Sequence, residues 1–517
     1  MQKMKVCVIG SGNAGLVTIK ELLDEGHDVI CYEQNPEEGG NFRAHAGSYQ
    51  SLRLTITQKV MCYSSMPSAS HEAPTFWTRH QYLDYLRRFA DKFVLRPHIH
   101  FNSKVHNVKR LSDGRYQVHI AQGEKQLTET FDAVAVCQGP HRPSSPRLPK
   151  FEGQDAFQGL IMHSAQYVTA DPFVGKKVVC VGFGESAGDI ITEISAVTKE
   201  CWTTFRRWPS LAMRWDGSGF AGDAFSIRAS QKLPGKLRNT IVRRQTEISA
   251  RSSNPRVAKV AEWNLKCEHH IHKFLQKNDD FVPRLLDGKL HAHCSAVKKL
   301  TANSVIFEDG KEIEADIVLL CTGFDEAGTP QLIDGFKVDN VRDMFRHSIH
   351  PDLGPRVAFI GWARPAQGGV PLCSEMQARY FSLLCSGKKQ LPAQMRDMIE
   401  RERAAEEEDY FVQSYMKTLV NYSVYLDSMA SLIGCLPGIK DMWYRPELLI
   451  RFMFGSNIPS WYRLVGPHAN PKLALENLRA TPVPFTFKRG VQFSWINFKL
   501  WLTNKLAGRR PAYSLFN

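Results

Sequence analysis

Two short stretches constrain this chain more than anything else in it: "KVCVIGSGNAG", Lys5 to Gly15, and "KVVCVGFGESA", Lys177 to Ala187. Each is an apolar, β-branched run that breaks into closely spaced glycines and then into a helical pattern, the layout of a phosphate-binding turn between a strand and a helix. In the first, the turn Gly10-Ser11-Gly12-Asn13-Ala14-Gly15 leads into "LVTIKELLDEG" and the strand "HDVICYE", which ends in Glu33. In the second, Gly182-x-Gly184-x-Ser186-Ala187-Gly188-Asp189 leads into a helix and then "ECWTTF", which ends beside Arg206 and Arg207.

The two turns differ in the charge that follows them. Gly10 suits the tight turn, Gly12 lets the backbone approach a pyrophosphate, and Gly15 lets the helix pack on the strand; the helix N-terminus then faces the phosphates. Glu33, about 20 residues on, is placed to accept ribose hydroxyls and would repel a 2′-phosphate, so the first site suits FAD or NAD(H). Arg206 and Arg207 favour the 2′-phosphate of NADP. One site is expected to hold FAD and the other NADPH.

The order of elements sets the architecture. "KVHNVKRLSDGRYQVHIA" reads as a hairpin turning at Asp113-Gly114, and strand-like runs recur around "NSVIFEDGKEIEADIV" before a mainly helical C-terminal region. The expected fold is α/β, with two Rossmann-like units, the second inserted in the first. The FAD unit is expected over 1–165 and 318–430, the NADPH unit over 166–317 with a helical insertion at about 210–290, and a helical region over 431–517.

With 517 residues, 43% of them hydrophobic, the chain can build more than one core. Its twelve cysteines stand singly, which argues against a disulfide framework or structural zinc and for a reducing compartment. The formal charge of +14 points to anionic partners, and much of it lies beyond Gly434, where twelve Lys and Arg face three acids. The tail "GVQFSWINFKLWLTNKL" mixes Phe493, Ile496 and Leu500 with Lys499 and Lys505, which suits either an interfacial helix or a helix docked on the protein's own core. No leader precedes the first strand and no apolar run reaches a bilayer's span, so the expected location is the cytoplasm or the surface of an intracellular membrane such as the endoplasmic reticulum. Phosphorylated cofactors account for the basic charge without nucleic acid. His269, His270, His272, His291, His293 and Cys294 cluster in sequence but fit no zinc spacing, and a solvated face is expected there.

Between the turns lies Phe157-x-Gly159-x-x-x-His163-x-x-x-Tyr167, which resembles the F-x-G-x-x-x-H-x-x-x-[FY] fingerprint of flavin-containing monooxygenases. "EEGGNF", "NSVIFEDG", "CTGF", "EMQARY" and "WYRLVGP" are similar as well, the last to the animal microsomal branch, and together they span Val6 to about Lys488. The resemblance implies that NADPH reduces FAD, that O2 adds to the flavin, and that the flavin hydroperoxide oxygenates a soft nitrogen or sulfur of a small amine or sulfide. It also implies FAD contacts at Gly40, Asn41 and Phe42, and an NADP site lined by Ser186, Ala187, Asp189 and Arg206. A helix beginning near Ser374 would aim its N-terminus at the flavin ring, with Gln377 as a ring neighbour. His163 is expected to hold a structural hydrogen bond.

One position departs from the family's pattern. Where "YxSxxTN" carries an asparagine that hydrogen-bonds the cofactors, this chain has Leu54-Thr55, so Thr55 is left with one donor instead of two. Such a loss is worth about 3 kcal/mol of transition-state stabilisation, which bears on how tightly NADPH use is coupled to oxygenation. A shifted Thr57 is a candidate to compensate. The competing readings are a Baeyer–Villiger monooxygenase, disfavoured by Tyr167 and by Gly39-Gly40-Asn41-Phe42 where that group has tryptophans, an NADPH oxidase producing hydrogen peroxide, and a flavoprotein kept only as a binding module.

Overall fold

The structure is a computed structural model that describes residues 3–44, 48–140, 145–216, 219–269, 275–324, 331–410, 416–484 and 495. The expected interfacial tail, Phe493, Ile496, Lys499, Leu500 and Lys505 included, lies outside the described residues, as do His270 and His272.

The strand Lys5–Ile9 sits at the centre of a five-stranded parallel sheet. Across it the order is Val357–Phe359, Ala133–Val136, Lys5–Ile9, Asp28–Tyr32 and Ile99–His100. Four of the five residues of Lys5–Ile9 are buried, the near-continuous apolar run that a parallel strand covered on both faces requires. The second unit repeats this plan around Lys177–Val181, in the order His291–His293, Glu200–Thr204, Lys177–Val181, Ile317–Leu320 and Leu160–His163. The fold is therefore α/β with two Rossmann-like units, as expected.

Each unit also carries a three-stranded antiparallel meander just before one of its sheet strands, Ala133–Val136 in the first and Ile317–Leu320 in the second. In the first it is Lys104–Arg110, Tyr116–Gln122 and Lys125–Phe131, one strand more than the hairpin read from sequence; in the second it is Val297–Leu300, Ser304–Phe307 and Glu312–Glu314. The expected Asp113-Gly114 turn is there, with Gly114 at φ +83°.

Each sheet has an outermost strand whose partner lies far along the chain. Val357–Phe359 returns to the first sheet after the whole second unit, and Leu160–His163 joins the second sheet before its phosphate turn is reached. Sheet pairing thus carries the second unit across both of the boundaries expected at 165/166 and 317/318. This gives the fingerprint its physical sense. A Cβ on Gly159 would meet Asp316 O at 2.4 Å, so only glycine lets this edge strand close on its neighbour. His163 Nδ1 accepts from Ala165 N and Nε2 lies 3.1 Å from Gly323 O, so the ring is a neutral strut between the ends of two strands. Burial depresses its pKa, against the Gly323 carbonyl, which agrees with that state.

The helix Val370–Cys385 runs through the interior with all residues but its first buried, and it packs against Asn13–Asp24 and Tyr422–Ile433. It starts at Val370, four residues before the expected Ser374, because Gly369 ends the preceding loop and Pro371 suits a first helical turn. The C-terminal helices Tyr422–Ile433, Pro446–Phe454 and Pro471–Ala480 share one hydrophobic core with the first unit. A buried ionic cluster pins them: Arg463 bonds Glu21 and Glu375, and Glu375 also accepts from Ser64. The insertion is tied to the same region by Arg228, whose guanidinium donates to Asp427 at 3.1 Å and to Tyr462 Oη at 3.0 Å. No described helix is long and apolar enough to cross a membrane.

Candidate active site

The two phosphate turns have the same local build. Gly10 and Gly182 sit at φ +98° and +103°, and their N–H groups donate to Tyr32 O and Thr204 O at the ends of the neighbouring strands. Gly12 and Gly184 are then the N-caps of the helices Asn13–Asp24 and Glu185–Ile194, and neither helix has a side-chain cap. Each helix thus offers first-turn N–H donors that no side chain caps, the arrangement that receives a phosphate.

The first turn is enclosed. A Cβ on Gly15 would lie 1.8 Å from Gly10 O, and one on Gly40 would lie 3.1 Å from Gly12 Cα, so two backbone segments meet here with no room for side chains. The short helical turn Gly40–Phe42 forms this second wall: Gly39 N donates to Ser11 O, Phe42 packs edge-on against Tyr82, and Arg79 donates to Phe42 O. Asn41 stands exposed at the rim. Glu33 is 4% exposed and spans the turn: Oε2 accepts from Ser11 N at 2.7 Å and from Ser11 Oγ at 3.1 Å, and Oε1 accepts from Asn35 N at 3.0 Å. Tyr63 Oη donates to Asn13 O at 2.6 Å, and Ala14 sits under Gly361, whose own Cβ would meet Ala14 Cβ at 3.2 Å. Among the expected residues, Ser11, Gly12, Asn13, Ala14, Gly15, Glu33 and Gly40 converge here. A glycine cradle closed by an acid fits the adenosine pyrophosphate of FAD.

The second turn is open. Nothing lies within 4 Å of a Cβ built on Gly184, and Ser186 beside it is exposed. Arg206 and Arg207 follow the strand Glu200–Thr204 on the surface, after the buried Phe205. Ala187 and Gly188 face inward, where a Cβ on Gly188 would collide with the Gln276 amide. An open turn flanked by two free-standing guanidiniums fits the 2′-phosphate of NADP.

Asp189 has a different place from its neighbours. Its carboxylate accepts from Tyr49 Oη at 3.1 Å, Arg214 Nη2 at 3.1 Å and Asn278 Nδ2 at 2.6 Å, all inside the protein. Burial raises its pKa; Arg214 and the other donors offset this only in part. Arg214 also donates to Leu54 O and Arg53 O, so this network bolts the second turn helix to the segment that carries Thr55.

Thr55 lies at the junction of the units. Its Oγ1 donates to Glu185 Oε1 at 2.7 Å, in the first turn of Glu185–Ile194, and Arg364 Nη2 approaches the other oxygen at 3.4 Å. Thr57 does not take over the missing asparagine's part: its N–H and Oγ1 both donate to the buried Asp223, at 2.6 and 2.7 Å. Burial raises the Asp223 carboxyl, and Thr57 counters it. Gln377 serves as a strut. Its Oε1 accepts from Gly361 N at 2.9 Å and its Nε2 donates to Arg346 O at 3.1 Å, so the amide is spent on holding the Gly361 turn beside Ala14.

Arg214, Asp223, Glu185 and Arg364 were not singled out from sequence. Glu185 had a usable signal, since an acid in the first turn of a phosphate-facing helix is conspicuous. Arg214 and Asp223 are single charges in an insertion without periodic pattern.

A family model described as FMO-like, flavin-binding monooxygenase-like, matches residues 3–472. The chain is 34% identical over 498 residues to a 4-hydroxybenzoate brominase (decarboxylating) of Pseudoalteromonas luteoviolacea, covering 94% of this chain and 95% of that one. It is 32% identical over 486 residues to a dimethylaniline monooxygenase [N-oxide-forming] 2 of Rattus norvegicus, covering 90% and 89%. Its fold is similar to that of the S-allyl-L-cysteine S-oxygenase of Allium sativum, with a TM-score of 0.61 at 21% identity, covering 92% of this chain and 98% of that one.

Proposed function

The chain belongs to the flavin-binding monooxygenase-like family, with FAD and NADP(H) as cofactors, and we propose that it passes one oxygen atom of O2 to an electron-rich nitrogen or sulfur of a small molecule. The observation that carries this reading is the pair of phosphate turns, one backed by Glu33 and the other by Arg206 and Arg207, with the Thr55–Glu185–Arg364 junction at the start of the second turn helix. FAD, when bound, supplies reduction by NADPH and the activation of O2. In this reading Gly10 to Gly15, Glu33 and the Gly40–Phe42 turn hold FAD, and Gly182, Gly184, Ser186, Arg206 and Arg207 hold NADPH.

The remaining residues position. A nucleophilic substrate brings its own lone pair, so the reaction asks no strong base of the protein. Arg214, bonded to Asp189 and to two carbonyls of the Thr55 segment, fixes that segment against the second turn helix. Thr55 is held with its proton on Glu185, and Gln377 keeps Gly361 against the first turn helix.

The N-oxide-forming relative supports nitrogen as an acceptor. A second reading, oxidation of bromide with bromination of a phenolic acid, is favoured by the relative that carries that activity in its name. The deciding experiment incubates the purified enzyme with NADPH and O2 and offers, separately, a tertiary amine, a sulfide, a ketone, and bromide with 4-hydroxybenzoate. N- or S-oxide formed in step with NADPH use is expected. Ester from the ketone alone, a brominated phenol alone, or peroxide equal to NADPH whatever is added would each overturn the first reading.

A further inference from the structure

A cavity of about 290 Å³ lies between the helical insertion, the loop containing Ala366 and Gln367, and the start of the helix Tyr422–Ile433. Its walls are apolar at Phe225, Leu233, Ile241 and Val242 and polar at Gln231, Arg238 and Asn421. Lys277 also lines it and is 7% exposed. The side chain of the preceding residue, Gln276, donates to Glu185 O at the start of the second turn helix.

Among the described residues, Lys277 Nζ has no hydrogen-bond or ion-pair partner. The acids near it are engaged elsewhere: Asp223 by Thr57, and Glu185 by Thr55 and Arg364. Burial lowers the Lys277 pKa, the fields of Asp223 and Glu185 oppose that, and Arg214 adds to it. A buried ammonium with three donors is costly until an acceptor meets it.

We infer that Lys277 binds a carboxylate of the substrate while the apolar walls enclose its hydrocarbon body. This makes the substrate a small organic acid, and it rests on the reading that oxygen is delivered at the junction beside Glu185. The volume, at the lower end of ligand pockets, suits a single ring or short chain. A phosphate of the nucleotide is a poorer fit, since its second charge would face Asp223 and Glu185.

The test is calorimetric titration of the oxidised holoenzyme with benzoate and with its neutral isostere benzamide. Benzoate is expected to bind roughly 10- to 100-fold more tightly, the value of a hydrogen bond to a charged group. Lys277→Met should remove that preference and leave benzamide binding unchanged, and Lys277→Arg should retain it. Benzoate that fails to bind, equal affinity for both probes in the unaltered enzyme, or a Lys277→Met variant that weakens NADP+ while leaving benzoate unchanged would overturn the assignment. The comparison of probes needs no variant, so it stands if Lys277→Met fails to fold. Because binding is read without turnover, failure of this assignment is distinguished from failure of the oxygenation reading, which the product assay reports.

Discussion

The two phosphate turns are alike in backbone and opposite in surroundings. The first is walled by Gly40, braced by Glu33 and Tyr63, and sits against the core that the C-terminal helices complete. The second faces open space at Gly184, with two exposed arginines beside it. One strand–turn–helix frame is thus built once as an enclosed socket and once as an open landing. The helices repeat the contrast. Asn13–Asp24 is anchored by the buried cluster of Lys20, Glu21 and Arg463, whereas Glu185–Ile194 is held to the first unit through Asp189 and Arg214.

The sharpest way to break the comparison is at the third position of each turn. In Gly15→Ala the new Cβ would lie 1.8 Å from a backbone oxygen that cannot step aside, and the expected outcome is protein that folds poorly or purifies without FAD, read from the flavin absorbance per chain. Ala187→Gly, the matching change in the open turn, should keep its flavin and lose only about 1 kcal/mol of helix stability. Next in size is Glu33→Gln. The amide cannot accept from both Ser11 and Asn35 as the carboxylate does, so FAD dissociation should rise by roughly 10- to 100-fold while the NADPH dependence is little changed. Equal loss at both sites would sink the division of roles.

Thr55→Asn tests the junction. Thr55 spends its only proton on Glu185, and asparagine has a second donor to offer. The fraction of NADPH that ends as hydrogen peroxide should fall several-fold, short of the roughly 100-fold that one well-placed donor is worth. An unchanged peroxide yield would remove Thr55 from the account.

The smallest expected effect is in pH. Burial alone would raise Glu21, but Arg463 and Lys20 override it and hold the carboxyl below its ordinary value. Its contribution to stability is therefore present above the unfolded value, near 4.5, and is lost as pH falls below that toward the folded value. Asp189, raised by burial, has the opposite sign: its folded state gains as pH falls. Melting temperatures taken between pH 6 and pH 3, a range set by the carboxylate pKa values, should drop on the acid side, with a flatter slope in Glu21→Gln and no flattening in Asp189→Asn.

The turns, their strands and the difference in flanking charge could be read from the sequence because each depends on residues a few positions apart. The places of the edge strands could not, since Leu160–His163 and Val357–Phe359 pair with strands far along the chain. The same divide runs through the site. Glu33 is close to its turn both in sequence and in space, whereas Arg214 reaches Asp189 and Leu54 from an insertion whose sequence carries no periodic signal. The partners of Gln377 were hidden for a related reason: only the returning Gly361 and Arg346 backbone reveals where its amide goes.

The central claim is that a nucleotide on the open turn reduces the flavin held in the closed one, and anaerobic titration with NADPH, followed by bleaching of the flavin's visible absorbance, tests it most directly. The unaltered enzyme should bleach fully, and Arg206→Ala/Arg207→Ala should keep its FAD but need roughly 10- to 100-fold more NADPH, with its response to NADH unchanged. Loss of FAD in that variant, or bleaching at the same NADPH concentration as the unaltered enzyme, would contradict the account.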